Sequence, residues 1–358
     1  MNAFIAVPTD LGVVLSPAWL THALQGVYPG VVVASAREIG RIESTALKVR
    51  IELEYTDEAG HNPLTRLFAK GYFSDEAIAI ATAAAIGPRN GFACREVRFY
   101  QELAPLLDVL APQAPYSAIE PATEIGLVLM EDVEARGARC FTPLTPYRPD
   151  QAAATLQELA RLHARFWGDT QMAADPWLQP KYPWIAGLID DETLDRLLAG
   201  ARGDGIPVEV RRASRIRAAL GALGARHATR PACLLHGDAH AGNVFADVDG
   251  RAGFVDWQNY EFGHWSTDVA YHIGSAFEPE ERAANEQELL AHYLDCLAGA
   301  GVDPPTFVDA WEDYATALAY GYFMWAITRR VEERITVLYN RRLGTAVAEH
   351  GSFGLLGV

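Results

Sequence analysis

The fold is decided by the stretch Leu234-Leu235-His236-Gly237-Asp238-Ala239-His240-Ala241-Gly242-Asn243-Val244-Phe245 and by Gly253-Phe254-Val255-Asp256-Trp257-Gln258, which follows shortly after it. Apolar runs lead into both polar segments, a pattern that predicts a unit of strand, loop and strand. The carboxylates of Asp238 and Asp256 and the amide of Asn243 then lie on loops. Magnesium prefers such hard oxygen ligands, and phosphoryl transfer needs a carboxylate that orients the attacking hydroxyl. The stretch therefore predicts phosphoryl-transfer chemistry.

The spacing of these residues is that of a known catalytic loop. In protein kinases the loop reads H-R-D-x-x-x-x-N, and a metal-binding Asp follows a short hairpin later. His236, Asp238 and Asn243 keep this order and these offsets, and Asp256 ends the next apolar run. We predict that Asp238 is the catalytic residue, and that Asn243 and Asp256 are the metal ligands.

The motif H-G-D-x-H-x-x-N followed by V-D-W-Q resembles the aminoglycoside phosphotransferase and choline kinase superfamily. Within that superfamily, the chain looks most like the ecdysteroid-kinase-like branch. Three segments carry this resemblance: Asp256-Trp257-Gln258, Thr267-Asp268-Val269-Ala270-Tyr271 and Leu159-Ala160-Arg161-Leu162-His163-Ala164-Arg165-Phe166-Trp167. The resemblance covers nearly the whole chain. It implies an α+β, bilobal, protein-kinase-like fold with a small antiparallel-sheet N-terminal lobe and a larger, mostly helical C-terminal lobe. It also implies ATP and Mg²⁺ as cofactors and a small-molecule hydroxyl as acceptor of the γ-phosphoryl group.

The resemblance further implies partners in the N-terminal lobe. Lys70 resembles the lysine that binds the α- and β-phosphates, and Glu96 resembles its ion-pair partner. Leu129 and Glu131 lie in a segment similar to the interlobe hinge, whose backbone holds the adenine. Asp268 matches an aspartate that supports the catalytic loop.

One segment departs from the kinase pattern, because the chain has no G-x-G-x-x-G motif. The matching region reads Gly40-Arg41-Ile42-Glu43-Ser44-Thr45. We expect Ser44 and Thr45 to supply hydroxyl and N–H contacts to phosphate in place of the missing glycines. Of the loop histidines, His236 is expected to bond backbone, and His240 to meet phosphate or substrate or to fill the loop.

The rest of the chain predicts strands first and helices later. Strands are expected at 31–36, 46–55, 64–70 and 125–130, helices at 75–86 and 92–110, and a mostly helical pattern from 150 onward. This order by itself argues for an α+β fold or for two lobes. We expect a nucleotide-binding lobe with its hinge at 1–132, a linker at 133–149, and a helical catalytic and acceptor-binding lobe at 150–358.

The composition limits the partners of the 358-residue chain. Acidic side chains outnumber basic ones by 46 to 30, and the formal net charge is −16. Proteins that hold nucleic acid normally present a basic face, so we expect no nucleic-acid partner and a mild preference for neutral or cationic substrates. The four cysteines form no C-x-x-C pair, and neither a signal peptide nor a run of about 18 apolar residues occurs. We therefore expect a cytoplasmic protein without a membrane span.

Several alternatives stay open at this point. The acceptor could be an aminoglycoside, a macrolide, a choline-like alcohol or a hydroxyacyl thioester, and the many aromatic residues, particularly from Tyr260 to Trp265, favour a bulky apolar alcohol such as a sterol-like compound. A second alternative is a pseudokinase that binds nucleotide without turnover. A third is a zinc or iron hydrolase built on the H-x-D-x-H pattern of His236, Asp238 and His240.

Overall fold

The computed structural model describes residues 7–43, 46–56, 63–74, 78, 92–121 and 123–358. The chain divides into two compact units. The first contains Met1–Leu107, Ala111–Arg139 and Asp256–Asn259, and the second contains Asp108–Leu110, Cys140–Val255 and Tyr260–Val358. The short segment that begins with Asp256 thus packs with the first unit, although the chain around it belongs to the second.

The first unit is built on a five-stranded antiparallel sheet of order β1-β2-β3-β5-β4. Its strands are β1 Val33–Glu43, β2 Leu47–Tyr55, β3 Arg66–Gly71, β4 Tyr116–Glu120 and β5 Ile125–Glu131. The predicted strands are all present, whereas β4 was not predicted. The sequence run of β4 mixes polar and apolar residues without a clear period, and the sheet supplies the pairing that fixes it.

Alternation along β2 places Val49, Ile51 and Leu53 on the buried face of the sheet. Two short helices, α1 Leu11–Val14 and α2 Pro17–Leu24, contribute to the core on this face. Ser16 caps α2 with its hydroxyl and Pro17 occupies the first turn, as their residue types favour.

The opposite face of the sheet packs against helix α3 Phe92–Arg98, where Val97 contacts the β5 residues Val128 and Met130. A π-helical turn at Phe99–Leu103 and a 3₁₀ turn at Ala104–Leu106 follow, so the helix predicted at 92–110 is shorter and less regular than expected. The helix predicted at 75–86 lies outside the described residues, except for position 78.

The second unit is mostly helical. Its short strands are β7 Cys233–Leu235, β8 Val244–Ala246, β9 Ala252–Phe254 and β10 Glu261–Gly263, and β6 Arg139–Cys140 lies where the two units meet along the chain. Strand β7 pairs with β10, and β8 pairs with β9, both antiparallel. The helices are α4 Pro149–Arg165, α5 Thr170–Ala174, α6 Tyr182–Ile185, α7 Asp191–Ala199, α8 Ala213–His227, α9 Ser266–Ala276, α10 Pro279–Gly299, α11 Phe307–Ile327, α12 Glu333–Glu349 and α13 Ser352–Leu355.

Helices α9 and α11 form the centre of this unit, and every residue of α9 is buried. Gly321 of α11 permits their close approach, because a Cβ at this position would stand only 2.8 Å from Cδ2 of Tyr271. The antiparallel sheet of the first unit and the helices of the second confirm the predicted α+β fold.

Three histidines of the second unit, His227, His264 and His272, are buried and uncharged at neutral pH. Burial lowers the pKa of His227 to about 3 and that of His272 to about 4, and it lowers the pKa of His264 well below its ordinary value. An unfolded histidine binds a proton near pH 6.5, whereas these three do not. The folded chain therefore takes up fewer protons than the unfolded chain below that pH.

We expect the free energy of unfolding to be fully retained above about pH 6.5 and to fall as the pH is lowered, by up to about 1.4 kcal/mol per pH unit for each such histidine. In His272→Gln the slope between about pH 6.5 and 5 should be shallower by that amount. His22→Gln is the matched control, because His22 is exposed on α2. Urea unfolding across this pH range measures the slope, and equal slopes in wild type and His272→Gln would contradict the assignment.

Candidate active site

The predicted catalytic loop follows strand β7 in the second unit. Asp268 of α9 is fully buried, and its carboxylate accepts hydrogen bonds from the backbone N–H groups of His236, at 2.7 Å, and Gly237, at 2.8 Å. Tyr320 of α11 donates its hydroxyl to the Gly237 carbonyl at 2.7 Å. Gly237 has a φ of 76°, which glycine adopts without strain. Two helices thus fix the start of the loop.

A buried histidine completes the support of Asp268. His163 Nε2 lies 3.3 Å from Oδ2 of Asp268, and His163 Nδ1 lies 2.8 Å from the hydroxyl of Tyr293. Burial alone would raise the pKa of Asp268, but the hydrogen bond and charge interaction with His163, the charge interaction with His236 and the N–H of Gly237 lower it below its ordinary value. The carboxylate therefore stays ionised and keeps its acceptor role.

Both ring nitrogens of His236 bond to backbone. Nδ1 accepts from the N–H of Asp238 at 3.2 Å, which leaves Nε2 to donate to the carbonyl of Val255 at 3.1 Å. Neither nitrogen is then left for a metal ion, so the hydrolase alternative loses one of its three ligands. Within the part of the chain that the structure describes, no group of three or more His, Cys, Asp or Glu residues is arranged to hold a metal ion.

Asn243 ties the end of the loop to its beginning. Its side-chain Nδ2 donates to the backbone carbonyl of Asp238 at 2.9 Å, and its own carbonyl accepts from the N–H of Val255 at 2.9 Å. The amide nitrogen is thereby committed, and the amide oxygen remains as a hard oxygen ligand.

The carboxylate of Asp238 lies among aromatic side chains. Burial and then the charge of Asp238 raise the pKa of the nearby Tyr271 hydroxyl, and His240 Nε2 stands 3.7 Å from Oδ1 of Asp238. The ring of His240 packs in turn against Tyr271, Trp325 and Tyr339, with centroids 5.2 to 5.8 Å apart. Asp238 itself keeps a side-chain exposure of 16%, so its carboxylate is held in place while part of it stays accessible.

In the first unit, Lys70 stands between two carboxylates. Its Nζ forms an ion pair with Glu96 of α3 and lies 2.7 Å from Oδ1 of Asp256. The other oxygen of Asp256, Oδ2, lies 2.7 Å from Nζ of Lys48 on β2. The structure therefore brings Lys70, Glu96 and Asp256 together and adds a second lysine to them.

The charges of this cluster stabilise one another. Burial alone would lower the pKa of Lys70, but the charges of Asp256 and Glu96 raise it above its ordinary value. Burial alone would raise the pKa of Asp256, and the charges of Lys48 and Lys70 hold it well below its ordinary range. Lys70 and Asp256 are therefore ionised at neutral pH, as an electrostatic site for phosphate and metal requires.

The segment that carries Asp256 is anchored to α3. The N–H of Trp257 donates to Glu96 at 3.3 Å, Arg95 Nε donates to the carbonyl of Gln258 at 3.2 Å, and the ring of Trp257 stacks on Phe99 with centroids 4.0 Å apart. Asp256 has a φ of 66°, an uncommon left-handed conformation that aspartate tolerates better than most residues. Backbone strain of this kind is typical of functional positions.

A small open cleft adjoins the cluster. It is lined by Ala46, Lys70, Tyr72, Glu96, Gly126, Val128 and Gln258. Lys70 and Glu96 thus border open space even though both are almost fully buried.

Other predicted residues are placed differently. Leu129 lies inside the sheet, paired with Ala69 of β3 and with Tyr116 of β4, so its backbone lies within the ladder and not at an open edge. Glu131 ends β5, and its N–H donates to the carbonyl of Gln113 at 2.7 Å. Ser44 and Thr45 lie outside the described residues.

Sequence reasoning missed Lys48. Its strand was predicted from the alternating apolar residues, and Lys48 occupies one of the positions between them. Only the register, which places Lys48 opposite Lys70, gives it a role. Tyr271 and Tyr320 were also missed, because a tyrosine in an apolar helix looks like an ordinary core residue. Tyr260 and Trp265, which were expected near an acceptor pocket, are 2% and 1% exposed and belong to the core.

Comparison with known proteins identifies the family. Residues 91–306 match the model of the phosphotransferase enzyme family. The match spans more than half of the chain and includes the catalytic loop, so this protein belongs to that family. The prediction of an enzyme that transfers a phosphoryl group to a small molecule is thereby confirmed. The match does not distinguish the ecdysteroid-kinase-like branch, which stays a prediction.

Solved structures support the fold. An ethanolamine kinase of Plasmodium vivax is 11% identical, with a TM-score of 0.51 and coverage of 87% of this chain and 81% of that chain. A macrolide 2′-phosphotransferase of Brachybacterium faecium is 17% identical, with a TM-score of 0.48 and coverage of 83% and 89%. A choline kinase of Streptococcus pneumoniae is 16% identical, with a TM-score of 0.48 and coverage of 88% and 94%. The likeness to the ethanolamine kinase agrees with the predicted kinase-like fold and extends to the fold alone.

No curated protein sequence matches the chain. None of the helices in the described part of the chain combines the length and the apolar character that crossing a bilayer requires.

Proposed function

We propose that this protein is an ATP- and Mg²⁺-dependent kinase of a small-molecule alcohol, and that the alcohol is bulky and apolar, in the manner of a sterol-like compound. The observation that carries the nucleotide part is the position of Lys70 between Glu96 and Asp256. A buried lysine held by a helix glutamate is the group that protein kinases use to bind the phosphates of ATP. The small number of cysteines, four in 358 residues, and the excess of acidic residues support a cytoplasmic enzyme.

Asp238 is assigned to the acceptor hydroxyl. Its carboxylate would accept the hydrogen bond of the hydroxyl and take its proton as the bond between the acceptor oxygen and the γ-phosphorus forms. The bond between the γ-phosphorus and the bridging oxygen breaks, and ADP leaves with the electron pair. The fixed backbone of the loop holds Asp238 in place, so the contribution of the protein is mainly positioning.

Asp256 and the side-chain oxygen of Asn243 are the residues assigned to magnesium. Two features support the fit: both offer hard oxygen ligands, and the Asp256 carboxylate already meets the positive charges of two ammonium groups. A magnesium ion held there would neutralise part of the phosphate charge. The strand pairing does not support Leu129 and Glu131 as hinge positions for the adenine, because both are paired with β3 and the N–H of Glu131 already donates to Gln113.

The acceptor class rests on the surroundings of Asp238. Rings of Tyr271, Trp325 and Tyr339 pack around His240 beside it, and all three are buried, so they make the surroundings of the carboxylate apolar without lining an open pocket. Apolar surroundings favour an apolar acceptor over a polycationic sugar. A choline-like alcohol is the second candidate, because aromatic surroundings also suit a quaternary ammonium group.

The test is release of ADP from MgATP by the purified protein with four acceptors in parallel: a polyhydroxylated sterol, choline, an aminoglycoside and a macrolide. Detection of the phosphate ester by mass spectrometry identifies the product. We expect turnover with the sterol and little with the aminoglycoside. Turnover with choline alone would replace the sterol by the second candidate. Binding of MgATP without phosphorylation of any acceptor would point to the pseudokinase.

A further inference from the structure

Lys48 and Lys70 lie directly opposite each other on neighbouring antiparallel strands, β2 and β3. Both contact Asp256, so their side chains share one face of the sheet. Like charges in such a pair repel each other and destabilise the sheet unless an anion lies between them. A sheet that keeps two lysines at this place is therefore built to hold negative charge.

In this structure the negative charge comes from the protein. The two oxygens of the Asp256 carboxylate are divided between the lysines, Oδ2 to Lys48 and Oδ1 to Lys70, at 2.7 Å each, and Glu96 is the second carboxylate on Lys70. The side chain of Lys48 is 24% exposed, against 6% for Lys70. Lys48 is thus the cation that can leave Asp256 at the lower cost of rearrangement.

We propose that Lys48 is a second phosphate-binding lysine, and that its contact with Asp256 withholds that carboxylate from a metal ion until the nucleotide arrives. This inference rests on the proposed function and adds to it how the phosphates are held. When phosphate oxygens take over Lys48, Oδ2 of Asp256 becomes available to the metal. Metal and nucleotide are then expected to bind as one unit.

The balance of charge supports this order of events. The two lysines balance the carboxylates of Asp256 and Glu96. A divalent cation alone would add two positive charges to a partly buried cluster, which is unfavourable. A triphosphate with its metal ion carries net negative charge, and it can satisfy both lysines while the metal satisfies Asp256.

Lys48 also accounts for phosphate binding without a G-x-G-x-x-G motif. The region from Gly40 to Thr45 has one glycine, so it cannot form the glycine-rich cover of protein kinases. Lys48 follows that region closely in the chain and lies on a regular strand. A cationic side chain on the sheet thus takes over a role that backbone N–H groups perform elsewhere.

The test compares wild type with Lys48→Met, which removes the charge and keeps the length of the side chain. We expect the dissociation constant of metal-free ATP, measured by calorimetry, to rise about 10- to 100-fold, the loss expected for a charge-assisted contact. The dissociation constant of Mn²⁺ alone, measured by electron paramagnetic resonance, should fall, because Asp256 has lost a competing cation. A purely structural role for Lys48 would not move these two constants in opposite directions.

Two further variants complete the design. Lys48→Arg should restore ATP binding, and Arg37→Met, which removes an exposed ion pair between β1 and β2, should leave both constants unchanged. Circular dichroism establishes that each variant is folded, and if Lys48→Met fails to fold, Lys48→Gln replaces it. If wild type binds MgATP and Lys48→Met binds ATP equally well, Lys48 is not a phosphate-binding residue. That outcome would overturn this inference and leave the proposed function standing. Absence of MgATP binding in wild type would overturn the proposed function and this inference with it.

Discussion

Asp238→Asn is expected to lower kcat by about 10² to 10⁴-fold while the dissociation constant of MgATP stays nearly unchanged. Asparagine has nearly the same shape as aspartate and still offers a side-chain oxygen as a hydrogen-bond acceptor. It cannot take the proton of the acceptor hydroxyl, so the loss falls on the chemical step. Steady-state turnover with the acceptor that the panel identifies, together with calorimetric titration of MgATP, separates the two quantities.

The backbone of the loop gives a reason to expect a folded variant. The backbone carbonyl of Asp238 accepts from Asn243, and its N–H donates to His236, so these bonds do not depend on the side chain. Asp249→Asn is the matched control, because Asp249 is exposed on the turn between β8 and β9. Equal turnover in wild type and Asp238→Asn would remove Asp238 from the catalytic role.

Asp256→Ala is expected to abolish the magnesium-dependent part of nucleotide binding. In wild type, MgATP at about 100 times its dissociation constant should raise the free energy of unfolding by about 2.7 kcal/mol. In Asp256→Ala, ATP with magnesium should raise the free energy of unfolding no more than ATP without magnesium does. Thermal melting of both proteins with ATP, with and without magnesium, measures this difference.

The same variant tests the ion-pair cluster without any ligand. When Asp256 is removed, Lys70 keeps its ion pair with Glu96. Lys48 loses its ion pair with Asp256. The free energy of unfolding should fall, but by less than the roughly 3–5 kcal/mol of a fully broken buried pair. Metal-free ATP should bind at least as well as in wild type, because two lysines have lost a competing anion. Retention of a magnesium-dependent shift in Asp256→Ala, with Asp249→Ala as control, would show that the metal ligand lies elsewhere.

The hydrogen bonding of the predicted catalytic loop could be anticipated from the sequence because it is local. His236, Asp238 and Asn243 lie on one short loop, so their spacing fixes which side chains face the backbone and which stay available. The alternating residues of β2 predicted the buried face of the sheet for the same reason, since the period of a strand is a property of the chain itself.

Contacts between distant segments could not be predicted in this way. The position of Lys48 opposite Lys70 depends on the register of β2 and β3, and that register is set by the packing of both strands into one sheet. The interior position of Leu129 depends on the pairing of β5 with strands on both sides. A shift of one residue in either register would turn these side chains to the other face.

The sequence by itself therefore determined the family and the order of strands and helices that gives the α+β fold. It also supplied the three residues predicted for the transfer reaction, Asp238, Asn243 and Asp256. Only the tertiary structure decided what surrounds them: the second lysine on Asp256, the rings beside Asp238 and the helix contacts that hold Asp268 under the loop. The physical reason is that spacing along a loop or a strand follows from bond geometry and chain connectivity. Charge pairing and ring packing arise between segments far apart in sequence, and they exist only after the sheet and the helices have packed.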